Sequence, residues 1–328
     1  MSTAALIIVF NHNYEDNIDK LLNIYTGRFK NIWFVMPFYE GSRKDVISVY
    51  YSSYYFQGFV ATAINHLKFY NFDYYLTVAD DLYLNPKINE NNYQKYFKID
   101  ERTGFISNFF DLNSATEKRP SRPYAPFWNA ILSALNLQTN KGFEWSKYLP
   151  SRQEAFDLFE KHGIKTNHTI KAKMLFPFKP IRFSLKIEDL KFSYHGLKLY
   201  LSNFKYLFSK RTLIYPMVGG YSDIAIIPKS AATDFAKYAH TFASLNLFVE
   251  IAFPTALLLA CENLTTEDDL DLKCVTYWYP ESLIINNKNY GSISEINSGF
   301  PEDALYVHPI KLSKIKSLKI FLESVFSP

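Results

Sequence analysis

Along the first third of this 328-residue chain, short unbroken apolar runs alternate with stretches whose apolar positions recur every three to four residues. The first run, Ala4–Phe10 (AALIIVF), is short and rich in branched side chains, so it predicts a fully buried strand. Glu15–Gly27 carries Ile18, Leu21, Leu22 and Tyr25 at helical spacing, and Gly27 stops it. Asn31–Met36 (NIWFVM) predicts a second buried strand, ended by Pro37. Phe56–Tyr70 predicts a helix with Ala61, Ile64, Leu67 and Phe69 inward. Asp73–Ala79 (DYYLTVA) predicts a third strand, which runs straight into Asp80-Asp81. Strands alternating with helices over short connections predict an α/β unit with a parallel sheet. Ligands of such sheets bind beyond the carboxyl ends of the strands. That places Asn11, in the loop Asn11-His12-Asn13, and Asp80-Asp81 at the ligand edge.

The middle of the chain, residues 105–215, is less regular, being broken by Pro120, Pro123, Pro126, Pro150, Pro177 and Pro180. Helices are predicted at Trp128–Leu137, Arg152–His162 and Leu190–Phe208. Regular structure resumes with a short strand at Ile224–Ile227 and a helix from Ser230 to Phe242. Phe248–Cys261 predicts a buried helix with Pro254 in its first turns. Strands near Lys273–Trp278 and Leu283–Ile285 follow. Beyond Ile310, lysines alternate with Leu312, Ile315, Leu318, Phe321, Leu322 and Val325 at near-helical spacing, which predicts a short basic amphipathic helix over 311–328.

Charge changes this picture. The net formal charge of +4 conceals a block, residues 161–211, with 12 basic residues and 2 acidic ones. Nine Phe and Tyr residues share that block, among them Tyr194, Phe204 and Phe208. Basic and aromatic residues together suit an anionic membrane surface or a stacked base. The 2 cysteines exclude a disulfide framework and a cysteine metal cluster, and fit a reducing compartment. The longest largely apolar stretch, Ile251–Cys261, has 11 residues and is interrupted by Pro254 and Thr255. A membrane-spanning helix needs about 20. No secretion signal is visible, so a soluble, cytoplasmic protein is expected. Walker, G-x-G-x-x-G, G-x-S-x-G and H-E-x-x-H motifs are absent from the sequence, which counts against P-loop, Rossmann dehydrogenase, α/β-hydrolase and zincin chemistry.

Asp80-Asp81 carries the strongest chemical signal. Two adjacent carboxylates at the end of an apolar strand suit a divalent cation, because hard oxygen ligands favour Mg²⁺ or Mn²⁺.

At this point the chain resembles a known family. FDYYLTVADDLYLNP looks like the Asp-x-Asp region of metal-dependent GT-A glycosyltransferases, although here the carboxylates are adjacent. IIVFNHNYEDN looks like their opening nucleotide-binding strand. MVGGYSDIAIIPKSAATDF resembles their Gly-rich acceptor-side segment, and LFVEIAFPTAL their acidic residue at a helix start. YVHPIK resembles the late His and Lys of some members.

The resemblance implies a Rossmann-type mixed, mainly parallel sheet flanked by helices, with an irregular helical insertion in the middle. Residues 1–104 would form the nucleotide-sugar half and 105–215 the insertion, facing acceptor or membrane. Residues 216–310 would form the acceptor and catalytic half of the same domain, and 311–328 the terminal helix. It implies Asp81, Asp80 and His308 around Mn²⁺ or Mg²⁺, with Asp80 also near the ribose. Asn11 and His12 would meet the donor nucleotide, and Lys311 its diphosphate. Glu250 is the first candidate for general base and Asp223 the second. The implied reaction moves a sugar from a nucleotide sugar, with UDP favoured, to a hydroxyl of a growing surface glycan such as lipopolysaccharide, O-antigen or capsule. The implied location is the cytoplasmic face of the inner membrane, against anionic lipid, with no nucleic-acid partner. The competing expectations are a nucleotidyltransferase or other metal-dependent nucleotide-using enzyme, and a non-enzymatic protein that binds an anionic ligand such as nucleic acid.

Overall fold

The computed structural model describes residues 3–114, 125–137, 144–166, 169–175, 190, 194, 197–198, 201, 203–208, 210–276, 293–310 and 312. Its strands are β1 (Ala4–Val9), β2 (Asn31–Pro37), β3 (Val46–Val49), β4 (Tyr74–Ala79), β5 (Tyr83–Leu84) and β6 (Thr103–Ile106). They continue with β7 (Ile224–Pro228), β8 (Asn263–Thr265), β9 (Lys273–Thr276) and β10 (Ala304–His308). β1 and β4 are buried along their whole length. That is why they read as unbroken apolar runs: a parallel strand covered on both faces has no solvent side to make polar.

A seven-stranded mixed sheet has the order β3-β2-β1-β4-β7-β6-β8. β1 pairs in parallel with β2 on one side and with β4 on the other. The chain therefore steps outward through β2 and β3, then crosses back to the opposite flank of β1. The direction of winding reverses between β1 and β4, and the crevice beyond their carboxyl ends is where such sheets hold ligands.

β7 runs antiparallel to β4, so its first residues lie beside the last residues of β4. This brings Asp223 to the same edge, where its carbonyl accepts the Ala79 N–H at 2.8 Å. A small second sheet, β5-β10-β9, follows the Asp pair directly. β10 runs antiparallel to β5 and ends at His308.

Helices cover the sheet. Phe56–Leu67 packs on β1 and on Lys229–Ser244, which in turn packs on Val249–Ala260. Several boundaries differ from expectation. The first helix starts at Ile18 after a 3₁₀ turn at Glu15–Asn17. The second ends at Leu67, and its continuation is 3₁₀, which turns Phe69 outward to 83% exposure instead of inward. β3, β5, β6, β8 and β10 have no counterpart in the sequence reading. They are two to five residues long, too short to show a period. In the predicted helix Leu190–Phe208, residues 190, 194, 197, 198, 201, 203 and 205–208 are helical, and 204 is a turn. Leu283–Ile285, Trp278 and the terminal helix from Ser313 on lie outside the described residues.

The stretch after Asp81 is fastened from below. The Arg28 guanidinium donates to the carbonyls of Ile88 at 2.9 Å and Asn85 at 2.7 Å, and stacks 5.0 Å from the Tyr25 ring. Tyr25 donates to the Leu82 carbonyl and accepts from the Leu84 N–H. Arg28→Met keeps the apolar stem but leaves those carbonyls without their donor. We expect chemical denaturation to show a loss of about 2–3 kcal/mol, the worth of charge-assisted hydrogen bonds. A change under ~0.5 kcal/mol, the usual surface value, would contradict this clamp.

Candidate functional site

The carboxyl ends of β1 and β4 meet where the Asp80 N–H donates to the Val9 carbonyl at 3.0 Å. Asp81, the next residue, is 9% exposed. A carboxylate at that depth needs partners that favour its charge. Its Oδ1 lies 2.9 Å from His308 Nε2, a residue 227 positions away and 5% exposed. The Asp81 carbonyl also accepts the Ile310 N–H at 2.7 Å, so backbone and side chain both tie β4 to the end of β10.

The other nitrogen of His308, Nδ1, lies 2.6 Å from the Tyr221 hydroxyl. Tyr221 also hydrogen-bonds the Asp223 side chain, and burial raises its pKa well above the ordinary tyrosine value. Its phenol therefore keeps its proton. The hydroxyl at Nδ1 holds the ring so that Nε2 faces Asp81, and that contact is a hydrogen bond in which Nε2–H donates to the carboxylate. Asp223 Oδ2 is 4.0 Å from Nε2. The Tyr221 ring stacks on Tyr306 at 6.1 Å with planes 3° apart, and Tyr306 bonds the Ser107 hydroxyl at 3.0 Å.

A carboxylate oxygen and an imidazole nitrogen at this spacing could together hold a divalent cation. Two donors at right angles on an octahedral ion, each at about 2.1 Å, stand about 3 Å apart, and Asp81 Oδ1 and His308 Nε2 have that separation. Among the described residues no group of three or more His, Cys, Asp or Glu side chains forms a metal site. One carboxylate can serve an Mg²⁺-type ion that completes its shell with water and substrate phosphates, and here Asp81 would be that carboxylate, with His308 beside it.

The segment 217–223 is set in place by one substitution-sensitive contact. Pro254 sits inside the helix Val249–Ala260. It has no N–H, so the Glu250 carbonyl four residues earlier lacks its helical donor. The Gly220 N–H supplies one at 2.9 Å. Gly219 and the backbone of Phe110 exchange two hydrogen bonds of 2.9 Å, and Tyr221 N–H donates to Asn108 Oδ1. A Cβ on Gly220 would stand 2.5 Å from the Asn108 carbonyl oxygen and 2.9 Å from Pro254 Cβ. The glycine is thus required by close approach, which delivers Tyr221 and Asp223 to His308.

Of the residues expected at the site, Asp81, His308 and Asp223 are brought together and Asp80 adjoins them, half-buried. Asn11 and His12 lie on the same sheet edge just past β1, His12 exposed. Glu250 joins the site segment through its carbonyl bond to Gly220. Lys311 lies outside the described residues. Tyr221, Tyr306 and Ser107 were not anticipated. Tyr306 and His308 stand two apart on β10, so strand alternation would have put them on one face had that five-residue strand been legible.

The fold and site define an α/β protein with a carboxylate–histidine–tyrosine cluster at the switch point of its sheet. No protein-family model matches the chain, and no curated protein matches it either. Among the described residues no helix is long and apolar enough to cross a membrane.

Two outcomes test this geometry. Gly220→Ala forces the Asn108 loop or the Pro254 helix to shift, so differential scanning calorimetry should show a loss of about 1–3 kcal/mol; an unchanged melting temperature counts against the close approach. Beside Tyr306, burial first and Glu267 second push the Cys274 thiol up to about 12. At pH 8 its thiolate is scarce, so iodoacetamide should alkylate it far more slowly than a free cysteine of pKa about 8.5. Labelling of the native protein at the free-cysteine rate would show that the buried environment is wrong.

Proposed function

We propose that this chain is a metal-dependent glycosyltransferase of the GT-A type. It would use a nucleotide-sugar donor, UDP-sugar favoured, and an acceptor hydroxyl on a growing surface glycan at the cytoplasmic face of a bacterial membrane. The observation that carries the reading is the pairing of Asp81 with His308 beside Asp80, at the sheet edge where the winding reverses. That is where an α/β sheet receives a nucleotide, and the pair offers the donors a diphosphate-bound cation needs.

Asp81 and His308 would hold Mn²⁺ or Mg²⁺. When bound, such an ion offsets the charge that develops on the leaving nucleoside diphosphate. Tyr221, itself bonded to Asp223, holds the His308 ring with Nε2 facing Asp81. Asp80 is placed for the ribose or the ion. Asn11 and the exposed His12 belong to the loop that would meet base, ribose and phosphates. Lys311 follows Ile310, the residue bonded to Asp81, and would add a cation at the diphosphate. Glu250 is the first candidate for general base, and Asp223, bonded by Tyr221 and close to His308, is the second. The free thiols, Cys261 and Cys274, suit a reducing compartment.

Calorimetric titration with UDP, GDP, dTDP and CMP, with and without Mn²⁺, tests the reading. One nucleotide should bind, and only with the metal. Asp81→Ala or His308→Ala should abolish that binding. Tyr221→Phe should weaken it about 10–100-fold, as loss of a hydrogen bond that orients a metal ligand does. If no nucleotide binds under either condition, or if Asp81→Ala binds like the wild type, the proposal fails.

A further inference from the structure

Half of the exposed large apolar side chains among the described residues fall within one stretch of the basic block: Leu190, Tyr194, Leu197, Leu201, Phe204 and Phe208. Their exposures run from 48% to 82%. They follow one another by steps of four and three, and the described residues before Phe204 are helical. As far as Leu201 that spacing suits one side of a helix; Phe204 is a turn, and Phe208 ends the short helix Lys205–Phe208 that follows it.

Other residues of the stretch tie it to the protein. Asn203, 1% exposed, donates to the Leu175 carbonyl at 3.1 Å. Tyr206 donates to Asn136, and Arg211 grips the carbonyls of Ile170 and Tyr206 at 3.0 and 2.9 Å. The stretch is thus anchored through polar groups at Asn203 and Tyr206, while its described large apolar side chains face solvent, the reverse of an ordinary surface segment.

Charge decides what such a stripe is for. Lys191, Lys198 and Lys205 recur every seven residues immediately after stripe positions, and Lys198 and Lys205 are exposed. The positions immediately before the stripe at the same period, Ser193, Tyr200 and Leu207, carry no acid. A second copy of this helix would therefore bring lysines without counter-charges. The surrounding residues, 161–211, hold 12 bases against 2 acids.

We propose that this face lies on an anionic lipid bilayer, with Leu197, Leu201 and Phe208 entering the headgroup boundary and Lys198 and Lys205 meeting lipid phosphates. The surface is independent of the Asp81–His308 pair, so the two readings fail separately.

Sedimentation of the full chain with vesicles of phosphatidylcholine alone, and with phosphatidylglycerol added, tests it. The wild type should pellet with the anionic vesicles, less so as salt rises, and stay in solution with neutral ones. Leu201→Gln with Phe208→Gln, and separately Lys198→Glu with Lys205→Glu, should each weaken binding by at least ~10-fold while leaving the melting temperature and metal-dependent nucleotide binding unchanged. Asp81→Ala should pellet like the wild type. Three results overturn the proposal: no pelleting with either vesicle, pelleting that survives both double variants but is lost when residues 313–328 are removed, or a wild-type dimer in lipid-free ultracentrifugation that Leu201→Gln with Phe208→Gln makes monomeric.

Discussion

Burial of β1 and β4 on both faces is the constraint from which the rest follows. Two adjacent parallel strands with no solvent side leave charged groups only at their ends. Everything charged that the chain needs near its centre must therefore gather at the carboxyl edge. Asp80 and Asp81 follow β4 there, Asn11 follows β1, and the antiparallel β7 starts there, bringing Asp223. The helices Phe56–Leu67, Lys229–Ser244 and Val249–Ala260 supply apolar cover that keeps the strands dry.

A buried carboxylate is costly unless its charge is met, and Asp81 is met from the far end of the chain. The small sheet β5-β10-β9 exists at the point where this matters. β5 follows the Asp pair, β10 pairs with it, and His308 ends β10 against Asp81. Behind His308 stands Tyr221, held by the interlock of Gly220 with the Glu250 carbonyl that Pro254 leaves open. The Gly220 N–H thus donates to the Glu250 carbonyl that Pro254 leaves without a helical donor, and that bond positions the tyrosine that orients the histidine.

Polar organisation at the sheet edge and apolar display on the basic block are opposite solutions to the same physics. At the edge, charge is buried and must be paired. On the stretch around Leu201 and Phe208, apolar area is exposed and lysines flank it, so a medium that takes up both kinds of group is its natural complement.

The central strands, the helices behind them and the pair Asp80-Asp81 were legible in the sequence, because burial on both faces or on one stripe imposes a period that single residues carry. His308, Asp223 and Glu250 could be named as chemical candidates, and the basic block as a charged face. Their assembly could not be read. The 227-residue separation of Asp81 and His308 is closed by β10 pairing with β5, a contact between two strands too short to leave a pattern. Tyr221 was invisible because its role depends on a ring standing at one nitrogen of one imidazole, which no spacing encodes. Composition and periodicity are properties of neighbours along the chain. The hydrogen bonds that make a site are properties of neighbours in space, and only the tertiary structure decided those.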